Sequence, residues 1–359
     1  MNATGPSCQA PPPPWLVRIP EVFAGMVPEI LTHFGAGSAT KLGTDYFLLK
    51  SPRLDMLRDS NAAIFVQWNL PVEHSWPCCP QTMEGFIEKA AQALLRKFGP
   101  RNPQAILIGP LEPGSPQPYY KSLASNLRGR TLQVFPKLPA ATADDQESTA
   151  ETLFCLVGKE GLFCGMATPR AANGWYPGGT KFISQSRAGT ISRAGAKIAE
   201  ALHWLRLHRA PLPEGSHWLE LGASPGGMTS ELLDRGFLVT AVDRAPLDPR
   251  LDRRPGLTFL KADAATFLPP PGILFDALLS DLNGDALVSL RLVIRLLPHL
   301  RPGGLVVFTL KTPHTETLTD LTALCQAVIA TAAAGLRLIA ITHLTYNRQE
   351  FTVFFERQP

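Results

Sequence analysis

Charged side chains are scarce in this 359-residue chain, at 18% against 45% hydrophobic residues. That balance excludes a disordered tail or a coiled coil and leaves enough apolar side chain for a real core. The length suits two or three domains. No apolar run approaches the ~20 residues that span a bilayer. The N-terminus has no basic segment followed by an apolar core, so a signal peptide is not expected either. The six cysteines, Cys8, Cys78, Cys79, Cys155, Cys164 and Cys325, lack the paired spacing of zinc ligands. A cytosolic protein with reduced thiols, off the membrane and without a metal site, is the expectation. Net charge is only +4, too small to announce a nucleic-acid partner by itself.

Proline is what abounds, with 34 residues. They cluster at Pro11 to Pro14, from Pro100 to Pro118 and at Pro269 to Pro271, which reads as stiff breaks between elements. Residues 1–15 read as a loose N-terminus, 16–170 as one region, 171–190 as a small-residue linker and 191–359 as a second domain. In the first region Met83 to Phe98 has helical spacing, and Ala105 to Gly109 and Thr131 to Phe135 read as strands. Thr152 to Val157 and Leu162 to Met166 flank Gly158-Lys-Glu-Gly161, a hairpin signal.

The second domain opens on an amphipathic helix, Ile191 to His208, which Thr190 or Ser192 could cap. Strands are expected at His217–Leu221, Phe237–Val242, Leu257–Leu260, Phe275–Ser280 and Gly304–Leu310. Helices are expected at Met228–Asp234, Asp285–Leu297 and Glu316–Ala334. The alternation predicts an α/β fold with a parallel sheet covered on both faces. Two more strands, Arg337–Leu344 and Phe351–Glu356, close it as an antiparallel pair.

In such a sheet the ligand lies beyond the carboxyl ends of the strands. Leu219-Glu-Leu-Gly-Ala-Ser-Pro-Gly-Gly227 puts a glycine-rich turn between the first strand and a helix. Alone it is only a turn. Three carboxylates at successive strand ends raise its meaning: Asp243, placed to accept both hydroxyls of an adenosine ribose, Asp263, placed for an adenine amino group, and Asp281. Gly222, Ser224, Pro225, Gly226, Gly227, Asp243, Asp263 and Asp281 are the candidate cofactor residues. The turn lacks the Gly-x-Gly-x-x-Gly pattern that cradles a pyrophosphate. S-adenosylmethionine has no phosphate, so it suits this turn better than NAD does.

Four further polar residues converge on the same edge: Lys197 in the opening helix, Asp281, Lys311 ending the fifth strand, and Glu350 opening the last. Singly, each reads as a surface ion-pair partner. Together they resemble the Lys-Asp-Lys-Glu tetrad of FtsJ-like ribose 2′-O-methyltransferases. Ser192-Arg-Ala-Gly-Ala-Lys197 and Leu221-Gly-Ala-Ser-Pro-Gly-Gly227 are similar to that family's first-lysine and cofactor segments. The resemblance runs furthest with bacterial enzymes that methylate a cytidine ribose in 23S rRNA, whose FtsJ-like half follows a THUMP-containing half. Gly178-Gly-Thr-Lys-Phe182, Ser60-Asn-Ala-Ala-Ile-Phe-Val-Gln-Trp68, the 152–166 hairpin and the final strand share in it. Ala194 departs from it, since relatives can carry serine there.

The resemblance implies a Rossmann-like sheet of seven strands, the last antiparallel, behind a smaller ferredoxin-like or THUMP-like α+β half. It implies transfer of a methyl group from S-adenosylmethionine to a 2′-hydroxyl of 23S rRNA or a pre-ribosomal large-subunit particle, by a cytoplasmic monomer. Lys311 would be the base. A free lysine has a pKa of ~10.4, so Lys311 needs depression, which Lys197 favours and Asp281 and Glu350 oppose. Lys181, Arg187 and Arg193, in a stretch to Lys197 without a carboxylate, become candidate RNA contacts. Three rivals stand beside this reading. An amino-methyltransferase would carry Asn/Asp-Pro-Pro-aromatic where this chain has Ser280-Asp-Leu-Asn-Gly284. A small-molecule methyltransferase needs neither the lysine pair nor the first half. A non-catalytic RNA-binding or assembly factor could retain the fold.

Overall fold

The computed structural model describes residues 13–359 except 54, 56–60, 79–81, 113, 115–117, 139–141, 184–189, 314 and 316. Most of the expected loose N-terminus therefore lies outside the described residues, as do Cys8, Cys79 and Arg187. Contacts divide the chain into two units, 1–63 with 68–179, and 64–67 with 180–359.

The N-terminal unit is α+β and holds two four-stranded sheets. The first comprises β1 (Trp15–Arg18), β2 (Ser38–Leu42), β3 (Tyr46–Lys50) and β4 (Trp68–Pro71). Its order is β2-β3-β1-β4 and every pair is antiparallel. The second comprises β5 (His74–Trp76), β6 (Ala105–Pro110), β7 (Thr152–Gly158) and β8 (Gly161–Ala167), in the order β5-β8-β7-β6. The expected hairpin is β7–β8, with Cys155 directly opposite Cys164. Helices Met83–Phe98 and Pro118–Val134 share a core with this sheet through Leu94, Phe98, Leu127, Leu153 and Cys155.

One expected strand is corrected. Thr131 to Val134 is the last turn of the Pro118–Val134 helix, and Phe135 follows it. Thr131, Leu132 and Val134 look strand-like in isolation. The buried stripe Leu123, Ala124, Leu127 and Thr131 has helical spacing, and the Thr131 hydroxyl donates back to the Leu127 carbonyl at 2.7 Å. The stretch expected to be a linker is packed up to Gly179. Gly178 has φ +78°, a β-carbon there would lie 2.0 Å from the Tyr46 hydroxyl, and its carbonyl accepts from Arg18 at 2.8 Å.

The C-terminal unit is a seven-stranded sheet of β9 (His217–Leu221), β10 (Leu238–Asp243), β11 (Leu257–Lys261), β12 (Phe275–Ser280), β13 (Leu300–Lys311), β14 (Leu336–Thr342) and β15 (Glu350–Arg357). The order is β11-β10-β9-β12-β13-β15-β14, parallel except for β15, which is antiparallel to both neighbours. This is the α/β sheet the sequence predicts. The strand order reverses between β9 and β12, which opens a crevice at their carboxyl ends. The helices are Ala194–Leu205, Gly227–Asp234, Ala286–Arg295 and Leu318–Ala332. The first starts three residues later than expected. Arg193 is its N-cap without a side-chain bond, while the Ser192 hydroxyl accepts from Ala194 N at 3.3 Å. Among the described residues no helix is long and apolar enough to cross a membrane.

Candidate active site

A cleft of about 470 Å³ lies at the carboxyl ends of β9 to β12. Gly222, Ser224, Asp243, Asp263 and Asp281 all line it. Gly222 has φ +80°, and a β-carbon there would meet the Asp281 carbonyl at 3.0 Å, so the turn after β9 requires glycine. Asp243 shapes the turn. One oxygen accepts from Ser224 N at 2.9 Å and the other from Ala245 N at 2.8 Å. Each carboxylate oxygen keeps a lone pair for a ribose hydroxyl. Asp263 accepts from Ala265 N at 2.8 Å and is exposed at the far end. Pro225, Gly226 and Gly227 carry the turn into the next helix.

The donor set fits S-adenosylmethionine. The cleft offers a carboxylate for the ribose, a second for an amino group and an apolar wall for a purine. Reading the sequence missed that wall: Val288 and Leu292 on the Ala286–Arg295 helix, with Asn283, Gly284 and Asp285 before it. Asp285 caps that helix by accepting from Val288 N at 2.8 Å. Its signal was Ser280-Asp-Leu-Asn-Gly284, a strand end running into a capping aspartate.

Lys197, Asp281, Lys311 and Glu350 form a closed ring beside the cleft. Lys311 Nζ is 2.7 Å from both Asp281 and Glu350. Lys197 Nζ is 2.6 Å from the other Glu350 oxygen and 3.5 Å from Asp281. Opposite charges alternate round the ring. Sheet register makes half of it, because Lys311 and Glu350 are direct cross-strand partners on β13 and β15. Asp281, one residue past β12, belongs to both ring and cleft. The four side chains are 8–18% exposed, so removing one leaves its neighbours poorly compensated.

The depression that Lys311 would need as a base is absent from this arrangement. Burial works to lower its pKa, but the Asp281 and Glu350 carboxylates outweigh burial and raise it above the ordinary lysine value. Burial likewise works to raise Glu350, and the two ammonium groups overcome it and lower the carboxyl.

Supporting residues also escaped the sequence reading. Glu200, one turn after Lys197 and 3% exposed, accepts from Thr345 N and Tyr346 N, both at 3.1 Å. It ties the loop between β14 and β15 to the lysine helix. Asn347 in that loop donates to Glu350 at 3.3 Å and accepts from Leu344 N and Thr352. Glu220 in the middle of β9 is buried, and desolvation raises its carboxyl to about 8, against the Thr229 hydroxyl that donates to it at 2.7 Å. Of the candidate RNA contacts, Arg193 is exposed, Lys181 is half-buried with its ammonium 3.0 Å from His203 Nδ1, and Arg187 lies outside the described residues.

Residues 190–334 match the model of the FtsJ-like methyltransferase family, a span holding three members of the ring and ending before Glu350. The chain is 35% identical over 185 residues to ribosomal RNA large subunit methyltransferase M of Halorhodospira halophila, covering 51% of this chain and 52% of that one. To the protein of the same name from Marinobacter nauticus it is 32% identical over 186 residues, covering 47% and 48%. The chain thus spans about half the length of the curated relatives it matches. Among solved structures, TrmN from Thermus thermophilus aligns at 18% identity and a TM-score of 0.37, over 96% of this chain and all of that one. With the sheet order and the cleft already in place, residues 190–334 are the part of the chain that is similar to the FtsJ-like methyltransferase family.

Proposed function

We propose that this protein methylates the 2′-hydroxyl of a ribose in large-subunit ribosomal RNA, with a cytidine of 23S rRNA as the acceptor nucleotide. The observation that carries this is the closed ring of two lysines and two carboxylates on the rim of the cleft. A hydroxyl acceptor needs a base, and a ring that orients lysine supplies one. The relatives' name supports large-subunit rRNA as the substrate. The N-terminal unit is proposed as a THUMP-like RNA-binding half, with Lys181, Arg187 and Arg193 adding backbone contacts. Cytoplasm and a monomeric state go with this reading, and free rRNA and a pre-ribosomal particle are both open to it as substrates.

S-adenosylmethionine supplies, when bound, a methyl group on a sulfonium whose leaving thioether is neutral. Asp243 and Asp263 hold its adenosine through the ribose and the amino group. Lys311 acts on the acceptor. As a free amine it keeps two N–H bonds and one lone pair. The two N–H bonds are directed at Asp281 and Glu350, which aims the lone pair at the third position. There it would take the proton of the acceptor 2′-hydroxyl. Lys197 holds the opposite side of both carboxylates.

Mass spectrometry of rRNA nucleosides from cells lacking the gene tests the reading. One 2′-O-methylcytidine should disappear. An unchanged 2′-O-methyl profile with a base methyl lost instead would overturn it. Lys311→Ala protein should bind rRNA normally and transfer methyl about 10²–10⁴-fold more slowly. If wild type and variant both bind without any transfer, the protein is a binding factor.

A further inference from the structure

Phe182 is 66% exposed, the highest value among the large apolar side chains of the described residues. One exposed apolar side chain is ordinary. Here its neighbours on both sides are held, Lys181 by its side chain and Ile183 by its backbone. Lys181 Nζ lies 3.0 Å from His203 Nδ1 on the lysine helix. Ile183 donates its N–H to the Tyr346 hydroxyl at 2.7 Å, and that hydroxyl donates to the Ile183 carbonyl at 2.9 Å. Tyr346 is held in turn by Glu200, and the next residue, Asn347, bonds Glu350 of the ring. A short chain of hydrogen bonds through adjacent Tyr346 and Asn347 therefore connects the Ile183 backbone, next to Phe182, to Glu350 of the ring. The flanking sequence is basic. No carboxylate occurs from Lys181 to Lys197, and Arg193 and Arg348 are exposed.

We propose that Phe182 stacks on a nucleobase of the acceptor RNA and so places the target ribose before the ring. The inference rests on the RNA 2′-hydroxyl reading above. An aromatic ring held in water beside positive charge suits an unstacked base with its phosphates, since every base has a π-face. Tyr346 and Glu200 are then positioning residues, which set the ring of Phe182 and the carboxylate of Glu350 through one loop.

The test is methyl transfer to unmodified 23S rRNA by the full-length protein, comparing Phe182→Ala, Phe182→Leu and Phe182→Tyr. Alanine and leucine should each raise KM for RNA on the order of 10-fold, with kcat less affected, and tyrosine should restore it. Cofactor affinity by calorimetry should be unchanged in all three. The salt dependence of RNA binding should keep its slope, because no phosphate contact is lost. A leucine variant equal to wild type would overturn stacking in favour of a plain apolar contact. Equal losses of RNA and cofactor affinity would overturn it in favour of a structural role. A wild-type product carrying a base methyl would overturn the 2′-hydroxyl reading, and the variant series would still report on stacking.

Discussion

Lys311 meets two carboxylates at 2.7 Å, and its raised pKa makes the ammonium the resting form. The amine that accepts a proton is therefore a minority species at neutral pH, and a strong base when it forms. Single-turnover methyl transfer should rise with pH through the alkaline range. Glu350→Gln removes one of the groups that raise Lys311, so the rising limb should move to lower pH while the maximal rate falls with the lost geometry. An unmoved limb in that variant would mean Lys311 is not the titrating base. Asp243→Ala, which removes the proposed ribose contact, should weaken cofactor binding about 10- to 100-fold by calorimetry and RNA binding much less. Glu220 has its pH effect on stability. Its carboxyl is raised from 4.5 to about 8, so the native state holds the proton to higher pH than the unfolded chain does. Its contribution to stability is full below about 4.5 and is lost as pH rises towards about 8. Denaturant midpoints of Glu220→Gln should show that decline flattened. Glu350 runs the other way: its lowered carboxyl contributes above the unfolded value, and the contribution is lost as pH falls through the folded one.

At the scale of elements, the lysine helix is placed by a close approach to the helix after the cofactor turn. A β-carbon on Gly227 would lie 2.0 Å from the Ser192 hydroxyl, and one on Gly195 would lie 2.9 Å from the Gly227 carbonyl. Gly195→Ala should push the two helices apart, costing about 1–3 kcal/mol in denaturant unfolding and displacing Lys197 from Glu350. The position looked like an ordinary small apolar residue in the periodic stripe, because periodicity reports which face is buried and not how near the neighbour comes. The strands of the C-terminal sheet were legible within a few residues, since β9, β10 and β12 are short apolar runs ended by glycine or aspartate. Thr131 to Phe135 was not, because five residues satisfy a strand pattern and a helix end equally well. The tetrad could be named from residue types at strand ends. Its supports could not: Glu200, Tyr346 and Asn347 act through backbone amides 145 or more residues away or inside one loop, and nothing local marks them.

For the whole molecule, the order β11-β10-β9-β12-β13-β15-β14 gathers residues as far apart in sequence as Gly222 and Glu350 onto one edge of one sheet, beside Lys197. Alternation of strand and helix foretold the C-terminal sheet, whereas the short helices and strands that alternate before it left the fold of residues 1–75 open. Saturating cofactor should slow hydrogen exchange at Ser224, Ala245 and Ala265, whose amides are held by the carboxylates of the cleft. The β7–β8 hairpin should exchange unchanged, and equal protection in both would place the ligand elsewhere. Asp281 gives the cleft and the ring a common electrode. On the proposed reading, a positive charge held in the cleft would compete with Lys311 for that carboxylate, and a neutral thioether left in its place would not. Readiness for proton removal would then follow the charge of what the cleft holds.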